Sequence, residues 1–155
     1  MSIPMPTAAE ILKWAPNARK EYVKAFLAGE QYLRDAGVLD NEYTLAHFMA
    51  QVGAETNGLT VFRENMNYTS VASIRRSWRA RASKVSDAYI KMHLVRNPKA
   101  LAAWAYGGRM GNAKAPSSDG YDYRGGGWIQ TTGRESTHRY CRKLGIEPRP
   151  DILDD

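Results

Sequence analysis

Residues 45–68 read LAHFMAQVGAETNGLTVFRENMNY, a stretch that joins a helical pattern, a glycine break and two glutamates. Its first half places four apolar side chains at the spacing i, i+3, i+4, i+7, which is typical of a helix with one buried stripe: Leu45, Phe48, Met49 and Val52. At about 100° per residue, Glu55 falls about 70° from the middle of this stripe. The pattern therefore predicts a half-buried carboxyl at the border of the stripe, where partial loss of water favours the protonated form. His47 and Gln51 precede Glu55 at i, i+4 spacing and predict a polar column beside the stripe.

The second glutamate, Glu64, follows after the glycine break. In an unbroken helix the two carboxyls would lie about 13.5 Å apart along the axis and on opposite faces, and in an extended chain they would lie roughly 30 Å apart. Two cooperating carboxyls need a separation of about 5–9.5 Å. Asn57-Gly58 provides a helix stop, because glycine adopts the left-handed conformation that turns the chain back toward Glu55. The alternative is that Glu55 is an ordinary helix-end carboxylate and Glu64 a solvated loop charge.

Composition predicts one soluble domain over residues 1–155, with 43% hydrophobic and 25% charged residues. Cys141 is the single cysteine, so no intramolecular disulfide is expected, and its place on a predicted helix favours packing over a nucleophilic role. No apolar run approaches the roughly 20 residues that cross a bilayer. The first residues lack the pattern of a Sec signal, so we expect synthesis in the cytoplasm of the producing or host cell.

The net charge of +6 favours anionic partners, which include nucleic acid, membrane surfaces and acidic wall polymers. A group of basic residues contributes to it, although a solvated helix face is the ordinary explanation for such a group: Arg75, Arg76, Arg79, Arg81 and Lys84. No zinc-finger, RNP or phosphate-loop motif is present, so neither a nucleic-acid partner nor stable membrane insertion is expected. The three histidines show no ligand spacing, and we expect no metal or cofactor.

Helix signals recur along the chain and strand signals are almost absent, which predicts an all-α fold of two lobes with a cleft lined by loops. A glycine-rich, ordered loop is expected at residues 107–127, and an acidic end at residues 151–155. Three helices are predicted in the first third of the chain: one from a capping box at Thr7–Glu10 through Trp14, one from Asn17 to Gly37, and one from Asp40 or Asn41 through Glu55. Three more are predicted over Ser70–Arg81 after a cap at Thr69, over Ser83–Val95, and over Lys99–Tyr106 after Asn97-Pro98. The last begins at a capping box at Thr132–Glu135 and ends at Leu144, before Gly145.

Two blocks of sequence, AQVGAET…FRENMNYTS and YGGRMGN…DGYDYRGGGWIQTTGRE, resemble the chitinase-like catalytic domain of glycoside hydrolase family 19, in its bacteriophage endolysin branch. The match runs in order from about Ala50 to Gly145. The resemblance implies a lysozyme-like fold and an inverting glycosidase, with Glu55 at the position of the general acid and Glu64 at that of the base that activates water. Such a mechanism requires the two carboxyls about 6.5–9.5 Å apart. The residues themselves predict a half-buried Glu55 and a Glu64 that comes from a wetter loop, which agrees with these roles.

Further positions match residues that line the cleft in this family: Gln130, Thr132, Asn67, Tyr123 and Arg124. Thr132 stands where a Ser or Thr helps to hold the water, and it has an alternative role as a helix N-cap. Arg124 has an equally weighted alternative, an ion pair with Asp119 or Asp122 that fixes the loop. Trp128 could stack on a sugar, although a tryptophan between glycine and isoleucine is more often part of a core.

The chain also departs from the family pattern. Ala54 replaces the histidine that usually precedes the acid, Gly126 replaces the second arginine of YRGRG, and Gly108 replaces an asparagine. Ser136 stands where many relatives carry an asparagine that assists the water. Relatives usually continue beyond the position of Asp155 with further helices, so we expect either a short member of the family or cover from a partner or a second copy.

Three functions follow from these observations as hypotheses. The first is an endolysin-type hydrolase of the β-1,4 glycan backbone of peptidoglycan, acting on the wall after release from the cytoplasm. The second is a chitinase on β-1,4-linked N-acetylglucosamine. The third is a catalytically impaired glycan-binding protein, for which Ala54 and Ser136 are the support.

Overall fold

A computed structural model describes residues 2–153 of the chain, and Asp154 and Asp155 of the predicted acidic end lie outside them. Helices make up 55% of the structure, which confirms the all-α prediction. Within the described residues, extended pairing is limited to isolated bridges of Gly126 with Arg63 and with Thr131. The chain forms two compact units, the first made of Met1–Phe62 with Trp128–Gln130, the second of Arg63–Gly127 with Thr131–Asp155.

Unit 1 contains four helices: α1 Ala8–Trp14, α2 Lys20–Ala28, α3 Glu30–Asp35 and α4 Glu42–Glu55. The capping box at Thr7 and the cap at Asn41 are confirmed, since each side chain accepts a hydrogen bond from the first turn of its helix. The single helix predicted from Asn17 to Gly37 is wrong. The observed helix α2 begins only at Lys20, and the helical run is interrupted at Gly29. The N–H of Gly29 is shared between the carbonyls of Ala25 and Phe26, at 3.2 and 3.1 Å, and this tighter turn ends α2.

The core of unit 1 gathers apolar side chains from α1, α2, α4 and the turn after it: Ile11, Val23, Phe26, Val52 and Leu59. Trp128 packs against this cluster, with its ring centroid 5.4 Å from Phe26 and 4.5 Å from Phe62, both edge to face. Edge-to-face pairs of this kind stabilise a core beyond the burial of their area. The packing alternative for Trp128 therefore describes its place in unit 1 better than stacking on a sugar.

Unit 2 contains shorter helices and one longer one: α5 Val71–Ser77, α6 Arg79–Ala82, α7 Asp87–Tyr89 continued by a π-helical turn at Ile90–Leu94, α8 Pro98–Tyr106, α9 Asp119–Asp122, α10 Arg134–Leu144 and a 3₁₀ turn at Pro150–Leu153. The helices predicted over residues 70–81 and 83–95 are both wrong in extent. Trp78 leaves helical geometry at φ −124° and ψ 47°, and Ser70 rather than Thr69 caps α5. Helix α7, in the second of these predicted ranges, begins only after Ser86, whose hydroxyl accepts the N–H of Tyr89.

The core of unit 2 is formed by α5, α6, the π-helical turn, α8 and the segment before α5. Its fully buried side chains are Met66, Ile74, Ala82, Ile90, Leu94, Leu101, Ala102 and Ala105. Cys141 is only 1% exposed on α10, in agreement with the packing role expected for it. Asn97 caps α8 as predicted, with its side chain accepting the N–H of Ala100. The buried residues of α8 fix its last residue, Tyr106, at the edge of this core.

The start of α10 corrects the predicted capping box at Thr132–Glu135. The N-cap is Gly133, at φ +92°, and no side chain caps the helix there. Two of the first N–H groups of the helix instead bond to another loop. The N–H of Arg134 donates to Asn112 Oδ1 at 2.9 Å, and the N–H of Glu135 donates to the Met110 carbonyl at 3.0 Å. Helix ends need such partners for their unpaired N–H groups, and here distant residues take the place of a local cap.

A second contact joins α10 to the glycine-rich loop. The Tyr123 hydroxyl lies 2.9 Å from His138 Nε2, and the two rings meet edge to face. Burial lowers the pKa of His138, and the cationic Arg134 and Arg142 lower it further. Burial has the opposite effect on the phenol of Tyr123, which is 6% exposed, and raises its pKa. With both shifts the phenol keeps its proton, and the neutral imidazole accepts a hydrogen bond from it.

The two glycines that flank α10 give a matched test of backbone constraint. A Cβ at Gly133 would lie 2.5 Å from Met110 Cβ and 2.9 Å from its carbonyl oxygen, whereas a Cβ at Gly145, at φ +67°, meets nothing within 4 Å. We expect Gly133→Ala to lower the free energy of unfolding by at least about 2 kcal/mol, and Gly145→Ala by about 1 kcal/mol from conformation alone. Urea denaturation measures both, and equal losses would contradict this account of the Gly133 cap.

The pKa of His138 predicts a pH dependence of stability. Because its folded value lies below the ordinary value of about 6.5, the unfolded chain binds more protons in the window just below pH 6.5, and protonation favours unfolding. This contribution is complete above that pH and is lost as the pH falls through the folded pKa. We expect the wild type to lose more stability between pH 7 and pH 5 than His138→Gln, measured by urea denaturation at each pH. Parallel curves for the two proteins would show that His138 does not titrate in this way.

Candidate active site

The first predicted acid, Glu55, is the last residue of α4, and the chain turns immediately after it. Thr56 is fully buried, donates its hydroxyl to the Val52 carbonyl and accepts the N–H of Leu59 at 3.0 Å. Asn57 and Gly58 follow in the left-handed region at φ 49° and 65°. The helix stop predicted at Asn57-Gly58 is therefore confirmed, with the buried Thr56 hydroxyl closing the turn.

The side chain of Glu55 is exposed, so the half-burial predicted from its angle to the apolar stripe is wrong. Helical side chains lean toward the N-terminus of their helix, which places Glu55 over the previous turn. There it accepts a hydrogen bond from Gln51 Nε2 at 2.9 Å, and Gln51 is itself exposed. The Gln51–Glu55 contact of the predicted polar column is confirmed, and the apolar stripe ends at the fully buried Val52.

The second predicted acid, Glu64, is half-buried and held at three points within unit 2. Its N–H donates to the Gly125 carbonyl at 2.8 Å, and its Oε2 accepts the Gly125 N–H at 3.2 Å. Its Oε1 accepts the hydroxyl of Tyr106 at 2.7 Å. The expectation that Glu64 comes from the wetter loop is therefore wrong, because the glycine-rich loop folds against it and supplies main-chain partners.

Arg124 contacts Glu64 through the main chain. Its guanidinium donates to the Glu64 carbonyl at 3.1 Å and to the Tyr121 carbonyl at 2.8 Å, and it lies 4.1 Å from the centre of the Tyr121 ring. Asp119 instead lies 3.6 Å from Arg134, so the ion pair proposed between Arg124 and an aspartate is wrong. Arg124 still fixes the loop, but it does so by donating to the main-chain carbonyls of Glu64 and Tyr121.

The other residues predicted to line the cleft differ in their exposure and in their contacts. Tyr123 is buried against His138, so we expect it to support the loop rather than to contact a glycan. Asn67 is exposed, with its N–H bonded to Asn65 Oδ1 at 2.8 Å. Thr132 and Ser136 are half-buried before and within the first turn of α10.

Gln130 belongs to unit 1 and is half-buried at φ 50°, a conformation that non-glycine residues rarely adopt. The contacts above thus bring Glu64 and Arg124 together within unit 2, whereas Glu55 and Gln130 belong to unit 1. The separation of about 6.5–9.5 Å expected for the two carboxyls stays a prediction.

Two residues of the site region were missed from the sequence. Tyr106 contacts Glu64 across 42 residues of chain, and no local spacing signals such a pair. Arg63 donates to the carbonyls of Arg124 at 3.0 Å and Asp122 at 2.9 Å, and so holds the glycine-rich loop beside Glu64. The available signal for both residues was their place in the quoted blocks, Arg63 in FRENMNY and Tyr106 at the start of YGGRMGN.

No group of three or more His, Cys, Asp or Glu side chains suited to a metal ion occurs among residues 2–153. In the same part of the chain, every helix is too short or too polar to cross a bilayer.

Comparison with known proteins supports the family resemblance through one curated relative. A search against models of protein families finds no match. Among curated proteins, a Haemophilus influenzae protein described as a "Glycosyl hydrolase family 19 domain-containing protein" is 32% identical over 136 residues. The match covers 88% of this chain and 64% of that relative, so the chain spans just under two thirds of the relative's length. This chain is therefore similar over most of its length to a family 19 glycosyl hydrolase protein, and the similarity supports the resemblance of its motifs at the level of the family.

Proposed function

We propose that this chain is a glycoside hydrolase that cleaves the β-1,4 glycan backbone of bacterial peptidoglycan by inversion. The observation that supports it most is the arrangement at Glu64, where two separate sequence blocks of the family pattern meet. Glu64 comes from FRENMNY, Gly125 from YRGGG, and both carboxylate oxygens have a donor. A carboxylate held in this way is suited to accept a proton from a water molecule in one fixed direction.

In the proposed reaction, Glu55 donates its proton to the glycosidic oxygen as the bond from that oxygen to the anomeric carbon breaks. Glu64 accepts a proton from water, whose oxygen forms the new bond to the anomeric carbon from the opposite face. The reducing sugar leaves with inverted configuration, and one water molecule is consumed. The exposure of Glu55 is compatible with this role, because a sugar seated against α4 would remove water from the carboxyl and favour its protonated form.

Charge supports peptidoglycan over chitin as the substrate. The chain carries a net charge of +6, and peptidoglycan is anionic where chitin is neutral. Unit 2 has a surface concavity of about 450 Å³ lined by Arg75, Arg76, Arg79 and Ser83. Arg75 is engaged by Asp87 and by the carbonyls of Ala82 and Val85, which leaves Arg76 and Arg79 as the cations suited to face a polymer. A role in phage lysis, with action on the wall after release, belongs to the same proposal.

One observation favours a second candidate function, a glycan-binding protein without catalysis. Ala54 precedes Glu55 in the place of the family's histidine, is exposed, and offers the carboxyl no side-chain donor or acceptor. If Glu55 cannot be directed onto the glycosidic oxygen, the chain would bind the strand without cutting it. Release of reducing ends from purified sacculi and from soluble chitin oligomers separates the three hypotheses, since a binder releases none and a chitinase acts on chitin alone.

The two carboxyls can be tested by isosteric amides. We expect Glu55→Gln and Glu64→Gln each to lower turnover of sacculi by about 10²–10⁴-fold, because each removes one proton transfer. Glu42→Gln, at the exposed first turn of the same helix as Glu55, is the control and should keep full activity. Clearing of permeabilised Gram-negative cells by either amide variant at the wild-type rate would remove that residue from the mechanism.

The arginine concavity can be tested by charge reversal. We expect Arg76→Glu with Arg79→Glu to weaken association with sacculi by about tenfold at low ionic strength, with the difference shrinking as salt is added. The control is Lys20→Glu with Lys24→Glu on exposed positions of α2, which changes the net charge equally. Co-sedimentation with sacculi measures binding, and equal losses in both variants would assign the effect to net charge alone.

A further inference from the structure

We propose that Tyr106 is a positioning residue that fixes the direction of the Glu64 carboxylate for the activation of water. The inference rests on the proposed role of Glu64 as the base. It adds a residue that lies outside the two-carboxylate pattern and to which the sequence assigned no role, although Tyr106 is the first residue of the YGGRMGN block.

The hydroxyl of Tyr106 is anchored by the core of unit 2. Tyr106 is the last residue of α8, and three residues on the two turns before it are fully buried: Leu101, Ala102 and Ala105. Its backbone carbonyl also accepts a hydrogen bond from Asn112 Nδ2 at 3.1 Å, and Asn112 is itself buried. The ring is half-buried, so its hydroxyl reaches Glu64 from a rigid helix end rather than from a mobile loop.

The two donors to Glu64 divide the carboxylate between them. Tyr106 holds Oε1 at 2.7 Å, and the Gly125 N–H holds Oε2 at 3.2 Å. A carboxylate offers about four acceptor sites, so two hydrogen bonds fix its plane and still leave lone pairs for a water molecule. Because Gly125 contributes a weaker, longer bond, the short bond from Tyr106 sets the orientation.

The electrostatics assign Tyr106 the part of donor. Burial raises the pKa of the Tyr106 phenol, and the hydrogen bond to Glu64 raises it further. The phenol therefore keeps its proton and cannot compete with Glu64 as the base. Arg124 does not take over this task, since its contact with Glu64 is to the backbone carbonyl at 3.1 Å and not to the carboxylate.

The test is a double-mutant cycle on turnover of sacculi by the full chain. Tyr106→Phe removes one oxygen and keeps the ring, and we expect kcat to fall about 10–100-fold, the range for loss of a hydrogen bond to a charged group. KM should change by less than about twofold, because a bond to the base affects the reacting water and not the bound glycan. In a Glu64→Gln background the same change should lower the residual rate no further, since a residue that acts through Glu64 loses its effect with it.

Controls separate this role from a structural one. Tyr22→Phe, a half-buried tyrosine of unit 1 whose hydroxyl accepts from Arg19 Nη1 at 3.1 Å, should retain wild-type kcat. Thermal unfolding of each variant checks the fold, and 3-fluorotyrosine at position 106, which keeps the hydroxyl and nearly the same volume, should restore activity to within about twofold of the wild type.

Each outcome bears on a different claim. If Tyr106→Phe keeps kcat while Glu64→Gln loses it, the positioning role is wrong and the proposed function is unaffected. If the loss caused by Tyr106→Phe persists in the Glu64→Gln background, Tyr106 acts structurally and the inference is wrong. If Glu64→Gln itself is fully active, the proposed function fails first.

Discussion

The glycine-rich loop of unit 2 depends on hydrogen bonds from two arginine side chains to its main-chain carbonyls. Carbonyl groups at the end of α9 and in the irregular segment after it must find partners wherever they are removed from water. Arg63 supplies donors to Asp122 and Arg124, and Arg124 supplies donors to Tyr121 and Glu64. Glu64 follows Arg63 in the chain and its carbonyl accepts from Arg124, so the same two arginines that hold the loop also fix the backbone at Glu64.

This arrangement explains why the two candidate carboxyls have environments opposite to those expected. Helix periodicity measures only how a residue lies relative to its own helix, and it placed Glu55 at the edge of a buried stripe. It contains no information about whether a neighbour covers that edge, and the structure leaves Glu55 exposed beside Gln51. Glu64, in a segment without periodicity, is half-buried because distant chain folds against it. For carboxyls outside a regular core, nonlocal packing therefore decides burial.

The same distinction between local and nonlocal causes separates the features that could be predicted from those that could not. The caps at Thr7, Asn41 and Asn97 are set by side chains within three residues of the helix end, and the stop at Gly145 by the left-handed backbone of that glycine; all were predicted. The start of α10 at Gly133 was not, because its first N–H groups bond to Met110 and Asn112, more than twenty residues earlier in the chain.

The breaks in the predicted helices have a related cause. Trp78 fits the helical spacing of apolar residues, yet its backbone leaves helical geometry between α5 and α6. Its ring packs edge to face on that of Tyr68, with 4.9 Å between the ring centroids. Within the candidate site, motif resemblance identified Glu64 and Arg124, which contact each other, but the partner that holds the Glu64 carboxylate lies on α8. Pairings of this kind depend on the tertiary fold and leave no signal in spacing.

The family pattern that the motifs resemble has a histidine at the position of Ala54, and in this chain a polar partner of Glu55 lies one turn earlier on α4. A catalytic acid must be oriented in both its protonated and its ionised state, since it begins the reaction with the proton and ends it without. A carboxamide can serve both states, because its nitrogen donates to a carboxylate and its oxygen accepts from a carboxylic acid. Gln51 contacts Glu55 at 2.9 Å, and rotation of the amide by half a turn exchanges its two roles with little change of shape. Under the proposed function, the orientation of Glu55 therefore falls to Gln51, an exposed amide one turn earlier on the same helix.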